Sequence, residues 1–144
     1  MEFVSFLLAI PELWKMGWTT GKRMTTILLA EDEGIVAEDL RKQLTKLGYT
    51  VCAVVATGEE AVKKAEEECP DILLMDIRLN GEMDGVEAVS RIRRRREIPV
   101  IYMTAFGDAE TLKRAHDVCT FGYLSKPLEL LELQHAIEAM LPKR

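Results

Sequence analysis

A run of four apolar residues that ends on a carboxylate, Ile72-Leu73-Leu74-Met75-Asp76, constrains this chain more than any other stretch. Pro70 and Asp71 precede it, and Asn80-Gly81 follows. A short continuous apolar run between turn signals predicts a strand covered on both faces, the kind that fills the interior of a parallel sheet. An acid ending such a strand stands at the sheet's carboxyl edge, where open α/β sheets place their ligand sites. Asp76 is therefore a candidate functional residue, and its partners must come from the other strand ends.

Thr26–Ala30 (TILLA) repeats the pattern and runs into Glu31, Asp32 and Glu33. Ile35, Val36, Leu40, Leu44 and Leu47 then fall at helical spacing, and Gly48 supplies the stop. Residues 49–55 are β-branched and strand-like. Thr57-Gly58 opens a helix over 59–68, which Pro70 ends. A helix over 85–96 buries Val86, Val89 and Ile92, and residues 98–104 (IPVIYMT) form a fourth strand. A weaker helix over 108–118 uses Leu112, Ala115 and Val118, a short strand covers 121–124, and a last helix runs over 128–141. Strands alternating with helices predict βαβ units with right-handed crossovers. The predicted fold class is α/β, a doubly wound five-stranded parallel sheet in a flavodoxin-like three-layer sandwich.

The length of 144 residues suits one domain, and 48% hydrophobic content suffices for its core. A net charge of −5 argues against a general nucleic-acid binder, because the phosphate backbone selects basic faces. Cys52, Cys69 and Cys119 are odd in number and lack CxxC spacing, which reads as reduced thiols of a cytoplasmic protein. The first residues differ in character. Both tryptophans, Trp14 and Trp18, lie there, and the tail carries +1 against −6 on the remainder. Pro11 interrupts its apolar stretch well short of the roughly 20 residues a membrane span needs, and Glu2 stands where a secretory signal carries positive charge. The expected division is an extension over 1–24, outside the fold, and a domain over 25–144.

The strand ends bring together Glu31 and Asp32, then Asp76, Thr104, and Lys126-Pro127. The second strand contributes no charge there, which fits a strand order of 2-1-3-4-5 with a crevice between strands one and three. Three neighbouring carboxylates require a cation to stay ionised together. A hard divalent ion such as Mg²⁺ answers that need. A lysine and a hydroxyl beyond them suit negative oxygens, so the set describes a phosphoryl group attached to, or passing through, a carboxylate.

These residues, with LLMD ending at Asp76, the later Met83-Asp84-Gly85, Thr104-Ala105 and Lys126-Pro127, give residues 25–141 a close resemblance to the receiver domains of two-component response regulators. The resemblance implies a stand-alone signalling switch rather than an enzyme acting on a separate substrate. Asp76 would accept a phosphoryl group from a histidine kinase or phosphotransfer protein. Asp32 would bind Mg²⁺ directly, Glu31 through water, and the backbone carbonyl of Arg78 would complete the ligands with Asp76. Thr104 would hydrogen-bond the phosphoryl oxygens and Lys126 would pair with them. Tyr123 occupies the aromatic switch position, coupled to Thr104, so that phosphorylation remodels the surface of helix four, strand five and helix five. Also implied are a cis Lys126-Pro127 peptide, a downstream protein target and a homodimer on phosphorylation, while the acidic charge and the short apolar stretch speak for no direct nucleic acid and no membrane span. A carrier or sink in a phosphorelay is the alternative role.

Two departures accompany the resemblance. Glu31 stands where aspartate is commoner, and the loop over 77–85 is one residue longer and lacks the family's proline. Arg78 and Phe106 flank the acceptor and are expected to slow water's approach to an acyl phosphate. Other readings are weaker. A haloacid-dehalogenase-like phosphatase needs a second acid where Arg78 stands, and a flavodoxin-type phosphate loop would meet repulsion from Glu31-Asp32-Glu33. Tyr102 is expected in the core, Asp84 as a cap, Asp71 as a turn residue. The run of Arg91 and Arg93 to Arg96 is expected as a solvated helix end, and His116 and His135 as surface residues.

Overall fold

The structure, a computed structural model, describes residues 24–105, 107–116 and 122–141. Expectations resting on the amino-terminal tail, Phe106, Val118 and Cys119 lie outside the described residues. Among the described residues five strands, β1 (Thr26–Ala30), β2 (Thr50–Val55), β3 (Ile72–Asp76), β4 (Val100–Thr104) and β5 (Gly122–Ser125), alternate with five helices. These are α1 (Gly34–Lys46), α2 (Gly58–Glu68), α3 (Gly85–Arg93), α4 (Ala109–His116) and α5 (Leu130–Met140). All pairings are parallel and the order is β2-β1-β3-β4-β5, as expected.

Every residue of β3 and β4 is buried, which explains their lack of polar alternation. Successive side chains point to opposite faces and so feed two cores. Leu28, Leu73, Met75, Val100 and Tyr102 meet Ala61, Ala65, Val86 and Val89 of α2 and α3. Ile27, Leu29, Leu74, Ile101 and Met103 meet Leu40 and Leu44 of α1 and Leu133 and Ile137 of α5. Tyr102 is a core residue, as expected.

The helices start and stop on local signals. Thr57 caps α2 by accepting from Glu60 N, and Asp84 caps α3 by accepting from Glu87 N. Gly48 follows α1 at φ +92°. Ile35 departs from the expectation: it is 89% exposed, and Ala37, Leu40 and Leu44 carry the buried stripe of α1. The expected α3 and β4 also shorten, to Arg93 and from Val100. Arg95 N and Arg96 N both donate to Ile92 O, which closes α3 in a turn, and Pro99 has no N–H for the ladder, although its carbonyl accepts from Leu73 N.

The lengthened loop after β3 has a defined course. Asn80 pairs with Thr57, and Gly81 turns at φ +94°. Met83 then packs against Gly58, and Gly85 N donates to Ile77 O. A Cβ placed on Gly85 would stand 2.1 Å from Asp76 O, so only glycine lets α3 begin against the end of β3.

Candidate functional site

At the carboxyl edge, the Lys126 Nζ donates to Glu31 Oε1 at 2.7 Å and to Asp76 Oδ2 at 2.8 Å. Glu31 is covered by the fold, and its other oxygen accepts from Glu33 N at 3.2 Å. The extra methylene of glutamate thus lets one carboxylate reach the lysine and the start of α1 together. Asp76 Oδ1 accepts from Arg78 N at 3.1 Å. Oxygens of Glu31, Asp32 and Asp76 all lie within 4.8 Å of one another.

This crowding shows in the acid–base balance. Burial, and then the hydrogen bond and charge of Glu31, push the Asp32 carboxyl above its usual value, with Lys126 offsetting part of the effect. Burial pulls the Lys126 ammonium down, but Asp76 and Glu31 raise it by more, so it stays above the usual lysine value. The ammonium touches two of the three carboxylates but carries a single charge, so the cluster still favours added positive charge. An octahedral Mg²⁺ with oxygens at about 2.1 Å spans about 4.2 Å from ligand to opposite ligand. Three carboxylates within 4.8 Å, one strained towards protonation, fit such an ion.

Thr104 is buried at the end of β4, and its hydroxyl donates to Leu124 O at 3.3 Å. Lys126 N donates to Thr104 O at 2.8 Å, and the Lys126-Pro127 peptide is cis, as expected. Tyr123 pairs in register with Tyr102 and is 59% exposed, its ring outward on β5. The edge therefore brings together Glu31, Asp32, Asp76, Thr104 and Lys126 and leaves Tyr123 at its periphery. His135 is exposed on α5.

Sequence reasoning missed Asp108. It is 3% exposed, its Oδ1 accepts from Arg78 Nε at 2.8 Å, and its Oδ2 accepts from Ala105 N at 2.6 Å. Counting Asp108 as the first residue of a helix hid it. An aspartate just before a helix start reads as a cap, and its carbonyl does accept from Leu112 N. Among the arginines, Arg91 pairs with Glu87, Arg95 with Glu66, and Arg93 donates to Ile98 O.

Comparison with known proteins agrees with this geometry. The response regulator receiver domain profile matches residues 27–138. The transcriptional regulatory protein PdtaR of Mycobacterium tuberculosis is 37% identical over 112 residues, covering 78% of this chain and 54% of that protein. A C4-dicarboxylate response regulator, DctR of Bacillus subtilis, is 33% identical, covering 78% and 50%. The chain thus spans about half the length of these curated relatives. Among solved structures, the signal receiver domain of a modulated diguanylate cyclase from Desulfovibrio desulfuricans superposes with a TM-score of 0.76 at 43% identity, covering 81% of this chain and 93% of that one. The receiver domain of a Pseudomonas aeruginosa sensor histidine kinase, solved with magnesium in its active-site cleft, gives 0.72 at 35% identity, covering 81% and 97%.

Proposed function

We propose, from the premise that this chain belongs to the response regulator receiver family of two-component systems, that it is a phosphoacceptor switch modified at Asp76. One observation carries the reading: Lys126 bridges Glu31 and Asp76 within a three-carboxylate cluster, beside the buried Thr104 hydroxyl. In this reading an Asp76 oxygen forms a new P–O bond as the donor's P–N bond, in a phosphohistidine of a kinase or phosphotransfer protein, breaks. Lys126 turns its ammonium from Glu31 towards the phosphoryl oxygens, and Thr104 turns its hydroxyl from Leu124 O to donate to them. Glu31, Asp32, Asp76 and the carbonyl of Arg78 would hold Mg²⁺. When bound, the ion neutralises the charge that crowds the transferring group.

The β4–β5 geometry supplies the signal. Once Thr104 releases Leu124 O, Tyr123 can leave its exposed position and fold inward, reshaping the α4–β5–α5 surface for a downstream protein. The charge argument against nucleic acid speaks for residues 25–144, and the relatives called transcriptional regulatory proteins are about twice as long. Among the described residues, no helix is long and apolar enough to cross a membrane.

Incubation with Mg²⁺ and acetyl phosphate, followed by intact-mass measurement, tests the reading. The wild type should acquire one base-labile phosphoryl group and the Asp76→Asn variant none. A wild type that stays unmodified, or a variant equally modified, would overturn it.

A further inference from the structure

The Arg78–Asp108 pair joins the two loops that flank Asp76. Arg78 is anchored to the acceptor by its backbone, through N–H donation to Asp76 Oδ1. Its guanidinium reaches away, over the β4–α4 turn, with Nη2 standing 3.5 Å from the Cβ position of Gly107 at φ +95°. The Asp108 carboxylate receives Arg78 Nε on one oxygen and Ala105 N–H, next to Thr104, on the other. Burial makes partners obligatory for Asp108, whereas Arg78 stays 69% exposed and free to turn. Asp108 also stands immediately before α4, with its carbonyl accepting from Leu112 N, so whatever loosens its side chain acts on the start of that helix.

We propose that Asp108 is an internal anion that holds the Arg78 guanidinium in the unphosphorylated protein, and that a phosphoryl group on Asp76 takes the guanidinium over. The inference rests on the reading of Asp76 as phosphoacceptor and adds a second route to α4 beside Thr104 and Tyr123. A phosphoryl group brings roughly −1.5 to −2 charge and three acceptor oxygens, against one negative charge on Asp108. The planar guanidinium fork suits those oxygens, and a stem two residues from the acceptor can turn back to them. Asp108 would then keep Ala105 N–H but lose its cation, and the first turn of α4 would loosen. Asp108 is in this scheme a positioning residue, acting through Arg78.

The test uses beryllofluoride with Mg²⁺ as a stable stand-in for the phosphoryl group, titrated into the full chain. Asp108→Asn keeps an oxygen for Ala105 N–H and removes the ion pair, so it should bind about three- to tenfold more tightly than wild type. Arg78→Ala should bind more weakly, and Asp108→Asn added to Arg78→Ala should bring no further change. In wild type, the Arg78 Nε–H resonance should shift on beryllofluoride addition. Unchanged or weaker binding by Asp108→Asn, an equal gain without Arg78, or an unmoved Nε–H resonance would overturn the proposal. Asp108→Ser, read by the same outcomes, replaces Asp108→Asn if thermal melting shows that variant unfolded. Failure of wild type itself to bind beryllofluoride would instead remove the reading of Asp76, whereas binding by wild type with no gain in Asp108→Asn removes the takeover alone.

Discussion

Lys126 holds the resting site together through charge, with its ammonium 2.7 Å from Glu31 and 2.8 Å from Asp76. Because its folded value is raised, this contribution is full below the ordinary lysine value of 10.5 and fades only as pH climbs through the raised one. Through the neutral range the bridge is constant. Lys126→Met keeps the aliphatic stem and leaves Glu31, Asp32 and Asp76 without their internal cation. Urea unfolding without divalent ions should show a loss of about 1–3 kcal/mol, less than the full cost of breaking a buried pair because the lysine is partly exposed. Mg²⁺ should restore more stability in this variant than in wild type. A variant equal to wild type without Mg²⁺ would mean that solvent already screens the cluster. At this scale the acids, Thr104 and Lys126 are legible in the sequence because each ends an apolar strand, a break in pattern that needs no coordinates. Asp108 is not legible in that way. Its role depends on an arginine 30 residues away, and no spacing rule links a β3–α3 loop to a β4–α4 turn.

Among the elements, the loop after β3 determines how firmly the acceptor is held. The fold places Gly85 against the Asp76 carbonyl so tightly that a Cβ would lie 2.1 Å from it, while no described atom comes within 4 Å of the same position on Gly34. The two glycines make a matched pair. Gly85→Ala should destabilise by about 1–3 kcal/mol or more through overpacking. It should also slow phosphorylation by acetyl phosphate, because the end of β3 must shift. Gly34→Ala, at the open start of α1, should be neutral or stabilising by up to about 1 kcal/mol. Denaturation midpoints and phosphorylation rates of the two variants decide the matter, and equal behaviour would contradict the packing argument. The lengthened loop departs from the family pattern in its sequence, yet its support by Thr57 and Gly58 of the β2–α2 turn cannot be read there. That contact joins residues over 20 positions apart. The misplaced Ile35 has a related cause: helical spacing alone does not tell which apolar residues the neighbouring layer reaches.

Across the whole molecule, the two edges of the sheet are built to opposite ends. At the amino edge Asp71 N donates to Thr26 O at 2.9 Å, and its Oδ2 accepts from Thr26 N at 2.8 Å and Thr26 Oγ1 at 3.1 Å. Expected as a turn residue, Asp71 joins the start of β3 to the start of β1. Strand order and layering were legible because alternation and polar strand ends repeat along the chain, whereas this tie depends on a register that sequence periodicity does not set. The carboxyl edge, by contrast, gathers like charges that disfavour one another and that Lys126 offsets only in part. Stability and switching should therefore separate. Asp71→Ala removes the acceptor for two donors and should cost about 1–3 kcal/mol of unfolding free energy. Its rate of phosphorylation by acetyl phosphate should stay within about twofold of wild type, since Asp71 stands at the opposite end of β3 from Asp76 and effects at separated sites usually add. Urea midpoints and phosphorylation time courses, taken on the same preparations, test both halves. A phosphorylation rate that falls in step with stability would mean that tension at the amino edge is carried along β1 and β3 to Glu31 and Asp76, and that the sheet works as one body between the two edges.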